Sequence, residues 1–131
     1  MKPSELMLNT ITALHEADKD PLFIINMGMF SGPEPLTGKC MGCAATAYMI
    51  YHERMSHNFM LFEHKLTETE MAIDAIRYGD THSFSHIYCE ESLPDEWVNK
   101  WQGKWCMMTH NWKADAPIMK EAALELQQLG Y

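Results

Sequence analysis

Four cysteines and one of the seven histidines hold most of the chemistry that spacing alone suggests in this chain. Cys40 and Cys43 form a C-x-x-C pair, and Cys106 and His110 form a C-x-x-x-H pair. Zinc takes four tetrahedral thiolate or imidazole ligands, and closely spaced ligands can share one ion. Cys40, Cys43, Cys106 and His110 are therefore a candidate Cys3His zinc set, with Cys89 as a spare soft ligand. A zinc knuckle usually occupies a tight polar turn, whereas Cys43 runs straight into "AATAYMIY". Buried cysteine also behaves as a small hydrophobe, so core packing competes with ligation. The expectation is no cofactor, with zinc as the alternative.

A redox pair is the other thiol reading. A thiol at a helix N-terminus becomes more acidic because the helix dipole favours its anion. The sequence places a helix start at Cys40 or Cys43, which would put Cys40 at the helix mouth. A thioredoxin-like arrangement also needs flanking strands, and only Leu22 to Phe30 reads as one. Helical relatives of carboxymuconolactone decarboxylase carry a histidine four residues after the second cysteine. Here that residue is Ala47, so the proton relay is missing.

The remaining constellations are less complete. His52 and His57 sit about 140° apart on an unbroken helix and cannot share a metal there. His82 and His86 share a helical face but lack a convincing carboxylate partner. "CMGC" and "CMMTH" raise Cu(I), but the methionines lie within apolar runs and read as core. A magnesium-dependent nucleotide hydrolase around Asp74 and Arg77 would need an E-x-x-E pair. Glu53 with Glu63, and Glu68 with Glu70, have the wrong spacing. No phosphate-binding glycine loop, nucleophile elbow or dinucleotide fingerprint is present.

The elements that must position these residues are mostly helical. A first helix spans Ser4 to about Ala17, with Ser4 as cap and Met7, Ile11 and Leu14 on one face. "SGPEPLTG" reads as a loop. A nearly all-apolar helix follows, from Cys40 or Cys43 to Met55. Thr67 and Glu70 form a capping box, Arg77 lies in the last turn, and Gly79 follows it. "DTHSFSHIYCEE" reads as a short helix capped by Asp80 or Thr81. "SLPDEWVNKWQG" reads as another, with Ser92 or Leu93 as cap and Pro94 in its first turn. Trp97 and Trp101 share a face one turn apart. The last helix takes Asp115 as cap and buries Ile118, Ala122, Leu126 and Leu129. The expected fold is mostly α, a compact single domain over residues 1–131, with five or six helices and at most one short strand. Its expected core includes Met7, Ile11, Leu14, Ile73, Ile76, Trp97, Trp101, Ile118 and Leu126.

Composition narrows the function classes. At 131 residues the chain can bury a sizeable core without metal or disulfides. Eighteen acidic against ten basic residues give a net charge of −8, which opposes binding to phosphate backbones and argues against a nucleic-acid partner. No apolar run reaches the length of a membrane span, and the N-terminus turns polar too early for a signal peptide. A cytoplasmic, non-membrane protein with reduced cysteines is expected.

Two segments, "KCMGCAATAYM" and "EMAIDAIRYGD", carry a resemblance over roughly Lys39 to Asp80. They resemble small bacterial and phage proteins of unknown function. Those have a C-x-x-C-small-x-A helix start followed by a helix ending A-x-D-x-[IL]-R-x-G. The relatives usually read Leu-Ala-Gly-Ala after the cysteines, where this chain has Ala44, Ala45, Thr46 and Ala47. The resemblance implies close helix packing and a phage or mobile-element origin, and brings no activity with it. With no complete catalytic set, the expected function is a non-enzymatic protein-interaction module, such as a phage-encoded modulator of a host protein. It would bind a protein partner or itself. The alternative is a thiol-redox or structural zinc protein using Cys40 and Cys43.

Overall fold

A computed structural model describes residues 1–29, 31–57, 66–88, 92–108 and 111–131. The fold is mostly α, with six α-helices and a small three-stranded sheet among the described residues. The chain divides into two compact units, Met1–Leu8 with Thr67–Tyr131, and Asn9–Leu66. The first helix, α1 (Pro3–Lys19), contributes residues to both. Ser4 lies inside its first turn instead of capping it. No helix among the described residues is long and apolar enough to cross a membrane.

In the unit that includes Thr67–Tyr131, α3 (Glu68–Arg77) starts at the capping box read from the sequence. Thr67 Oγ1 accepts from the Glu70 amide at 3.2 Å, and the Glu70 carboxylate accepts from the Thr67 amide at 3.1 Å. Two of the helix's orphan amides are thereby satisfied. At the other end Gly79 takes φ +72°, donates to Ile76 O, and Asp80 donates to Ala75 O. This is a Schellman closure, which needs a left-handed residue at the glycine position. The stretch from Gly103 to Met107, which precedes the last helix, then seals the end. Gly103 N donates to Gly79 O, Met107 N to Arg77 O, and the Trp105 indole to Ile76 O at 2.6 Å.

Asp80 goes on to cap α4 (Thr81–Tyr88), accepting from the Ser83 amide and hydroxyl. Burial pushes its carboxyl up, but the two Ser83 donors, with Gln102 and the charge of His82, together leave it below its usual range. Helix α5 (Asp95–Trp101) is capped by Pro94, so neither Ser92 nor Leu93 fills that role. The reason is local: Pro94 has φ −55° with an extended ψ of 127°, so the helix begins one residue after it. Trp97 donates to Ala122 O at 2.9 Å and Trp101 to Glu125 Oε2 at 2.9 Å. Both tryptophans thus reach α6 (Trp112–Gln128) one turn apart, but only Trp97 is fully buried and Trp101 is half-buried.

The cap of α6 also differs from expectation. Asn111 caps it through Lys113 N, and Asp115 lies inside the helix accepting from the Cys106 amide at 3.0 Å. Starting the helix earlier moves its buried stripe to Trp112, Asp115, Ala116, Met119, Ala122, Ala123 and Leu126. Ile118 becomes half-buried and Leu129 exposed.

The Asn9–Leu66 unit overturns the expectation of at most one strand. Strands β1 (Phe23–Ile25), β2 (Ser31–Pro33) and β3 (Cys40–Gly42) form a sheet in the order β1-β3-β2. β1 runs parallel to β3 with Phe23 opposite Cys40, and β2 runs antiparallel with Pro33 opposite Cys40. The segment read as a loop therefore supplies a strand, and β3 supplies the missing partner for Phe23–Ile25. Residues 34–39 close the hairpin, with Glu34 N donating to Lys39 O, Gly38 N to Glu34 O, and Gly38 at φ +70°. The Glu34 carboxylate accepts from the Thr37 amide and hydroxyl, both at 2.6 Å. Its pKa is lowered, chiefly by that hydroxyl.

Cys40 consequently belongs to a strand and not to a helix mouth. Cys43, in extended conformation, is the N-cap of α2 (Ala44–Ala47) and offers no side-chain cap bond. After one turn the helix widens into a π-helical segment, Tyr48–His52. The expected single helix to Met55 thus stops at His52. Such segments are often found at functional sites.

Candidate functional site

The best-built cluster of polar side chains in the sheet-bearing unit gathers on Asp20. Asp20 N donates to Ala17 O in the turn that ends α1. Its Oδ1 accepts from the Leu22 amide at 2.8 Å, which fixes the carboxylate's orientation. Its Oδ2 accepts from the Tyr51 hydroxyl at 2.6 Å and lies 3.1 Å from His57 Nε2. Tyr51 OH is itself 3.4 Å from that nitrogen.

Three segments meet at this one carboxylate: the turn after α1, the π-helical turn, and the chain beyond it. The Phe23 ring on β1 braces Tyr51 edge-on, with centroids 5.7 Å apart. His57 meets the Tyr51 ring edge-on at 6.0 Å.

The protonation states follow from the bonding. The Tyr51 hydroxyl, the Leu22 amide and His57 lower the Asp20 pKa despite partial burial, so Asp20 is an anion and accepts only. Burial, reinforced by the hydrogen bond to Asp20, raises the Tyr51 pKa, so the phenol keeps its proton and donates it. His57 Nε2, facing an acceptor-only oxygen, must then carry hydrogen. In neutral His57 the lone pair is therefore on Nδ1.

His57 also lines an open pocket of about 760 Å³. Cys40, Ser31, Gly32, Lys39 and Ser56 are among its other walls. The pocket is thus framed by the β2–β3 hairpin on one side and the chain after the π-helical turn on the other. Cys40 is half-buried, and burial, then the charge of Asp20, raises its thiol pKa. This is the opposite of the acidified thiol that a helix N-terminus would give.

The four sequence-derived candidate ligands are distributed unevenly. Cys40 and Cys43 lie in the sheet-bearing unit, Cys40 on the pocket and Cys43 wholly buried. Cys106 lies in the other unit, half-buried. His110 falls outside the described residues, as does Cys89. Among the described residues no three His, Cys, Asp or Glu side chains gather as a metal-binding group. His82 and His86 are both exposed on α4.

Sequence reasoning missed Asp20, Tyr51 and His57 as a group. Asp20 and His57 are 37 residues apart, and no spacing rule joins them. The weak signal available was "YHERMSH", in which an aromatic and a histidine stand six apart across a helix end. Compared with protein-family models, curated proteins and solved structures, the chain matches none of them.

Proposed function

We propose that the chain is a protein-interaction module that receives a short segment of a partner protein in the pocket lined by Cys40 and His57. The supporting observation is that pocket: about 760 Å³, open, and bordered by hydroxyls, a thiol, an imidazole and the exposed Leu22. Binding sites combine apolar contact with a few placed polar groups, and this wall offers both. The chain's net charge of −8 favours a basic partner surface around the docked segment. The resemblance to phage proteins makes a host protein the natural partner.

Affinity capture from host lysate tests the reading when wild type is run beside Ser31→Trp. Ser31 is on the edge strand β2, so a bulky side chain there obstructs the pocket mouth without entering the core. A specific protein held by wild type and lost from Ser31→Trp supports the proposal. Equal retention by both, or no specific retention, opposes it.

A further inference from the structure

The geometry points to Cys40 as a nucleophilic thiol in the pocket, with His57 as its proton acceptor and Asp20 as the residue that positions His57. The substrate class is an acyl donor with a good leaving group, an activated ester or thioester. This inference rests on the pocket being the place where ligand enters.

The argument begins with the imidazole. Asp20 Oδ2 holds His57 through Nε2, which leaves Nδ1 as the basic nitrogen. His57 and Cys40 line the same open pocket, so base and thiol face a shared space. A histidine whose tautomer is set by a carboxylate, lining one pocket with a thiol, can serve as the base that activates it. Tyr51 adds a second hydrogen bond to the same carboxylate oxygen, which limits rotation of Asp20. Catalytic hydrogen bonds are often long or poorly aligned in an apo site and tighten when substrate binds.

The thiol needs this help. Burial and the nearby Asp20 charge keep Cys40 protonated, so an unassisted thiolate is scarce at neutral pH. In the first step Cys40 gives its S–H proton to His57 Nδ1 as Sγ forms a bond to the acyl carbon. The bond from that carbon to the leaving group then breaks, and the leaving group takes the proton from Nδ1. The product is an S-acyl Cys40. Water attacking the same carbon gives its proton to Nδ1, and the thiol leaves with that proton, releasing the acid. Lys39, on the pocket wall, supplies positive charge for the oxyanion formed in each step.

Treating the full chain with p-nitrophenyl acetate at pH 7 and reading intact and peptide masses tests this directly. Cys40 is expected to acetylate faster than Cys106, the half-buried internal control. His57→Ala should slow Cys40 acetylation by about 100-fold or more. Asp20→Asn should slow it less, and Cys40→Ser should abolish the acetyl-thioester. His57→Gln, which keeps a polar side chain of similar reach, guards against misfolding and should be as slow as His57→Ala. Equal rates at Cys40 and Cys106, or a rate unchanged in both His57 variants, would overturn the inference. Fast, His57-dependent acetylation together with capture that ignores Ser31→Trp would sustain it while removing the partner-docking reading.

Discussion

Tyr51 donates its phenolic hydrogen to Asp20 Oδ2 across 2.6 Å, tying the π-helical turn to the end of α1. The same oxygen receives His57, so one carboxylate holds the imidazole that lines the pocket. Because the folded Asp20 pKa lies below its ordinary 3.8, the anion is the form that folding favours. Its stabilisation is complete above the unfolded value and is lost as pH falls through the lower folded value. Asp20→Asn keeps an acceptor for Tyr51 but removes the charge. Urea midpoints should therefore separate wild type from Asp20→Asn at pH 7 and converge in the most acidic part of the folded range. A gap that stays constant with pH would contradict the charge assignment.

Gly79 and Gly103 give a matched pair, since both have φ near +70° but different surroundings. A Cβ at Gly79 would come within 2.0 Å of the Trp105 carbonyl oxygen, whereas one at Gly103 meets nothing within 4 Å. Gly103→Ala carries only the left-handed backbone penalty, about 1 kcal/mol. Gly79→Ala adds displacement of the backbone that closes α3, for a total of about 3 kcal/mol or more. Chemical denaturation of the two variants checks the difference, and equal losses would refute the close approach.

Trp97 and Trp101 make similar hydrogen bonds to α6, yet their substitutions should differ. Trp97 is 1% exposed and donates to the backbone carbonyl of Ala122, so Trp97→Phe leaves a cavity and removes that hydrogen bond. A loss of about 2 kcal/mol is expected. Trp101 is half-buried and donates to Glu125, whose carboxylate also holds Lys100 and reaches solvent. Trp101→Phe should cost less than about 1 kcal/mol. Thermal melts of the two variants measure the ordering.

What could be read from the sequence tracks how local each signal is. The Thr67–Glu70 box, Gly79 after α3 and the shared face of Trp97 and Trp101 all depend on neighbours within a turn, and all three stand. The sheet was hidden because each strand is three residues long, and β1 finds its partner only at Cys40, seventeen positions after Phe23. Cys40 differs for the same reason: the apolar helical pattern continues back through residues that pair as a strand. The Asp20–Tyr51–His57 cluster needs the turn after α1 and the widened helical turn together, and periodicity describes neither. The cap of α6 was displaced because Asp115 has the chemistry of a cap, but its carboxylate is already engaged by Cys106 N.

The capping box offers the most direct measure of a local signal's energy. Thr67→Ala removes the acceptor for the Glu70 amide, and Glu70→Ala removes the acceptor for the Thr67 amide. Each change should cost about 1 kcal/mol, in the usual range for an N-cap. The two bonds hold the same first turn, so loosening either one weakens the other. The double variant should therefore lose less than the sum of the single losses. Glu70→Gln retains an acceptor oxygen at a position only 4% exposed and should recover much of the Glu70→Ala loss. A double-mutant cycle by urea denaturation reads the coupling, and strict additivity would show that the two bonds act independently.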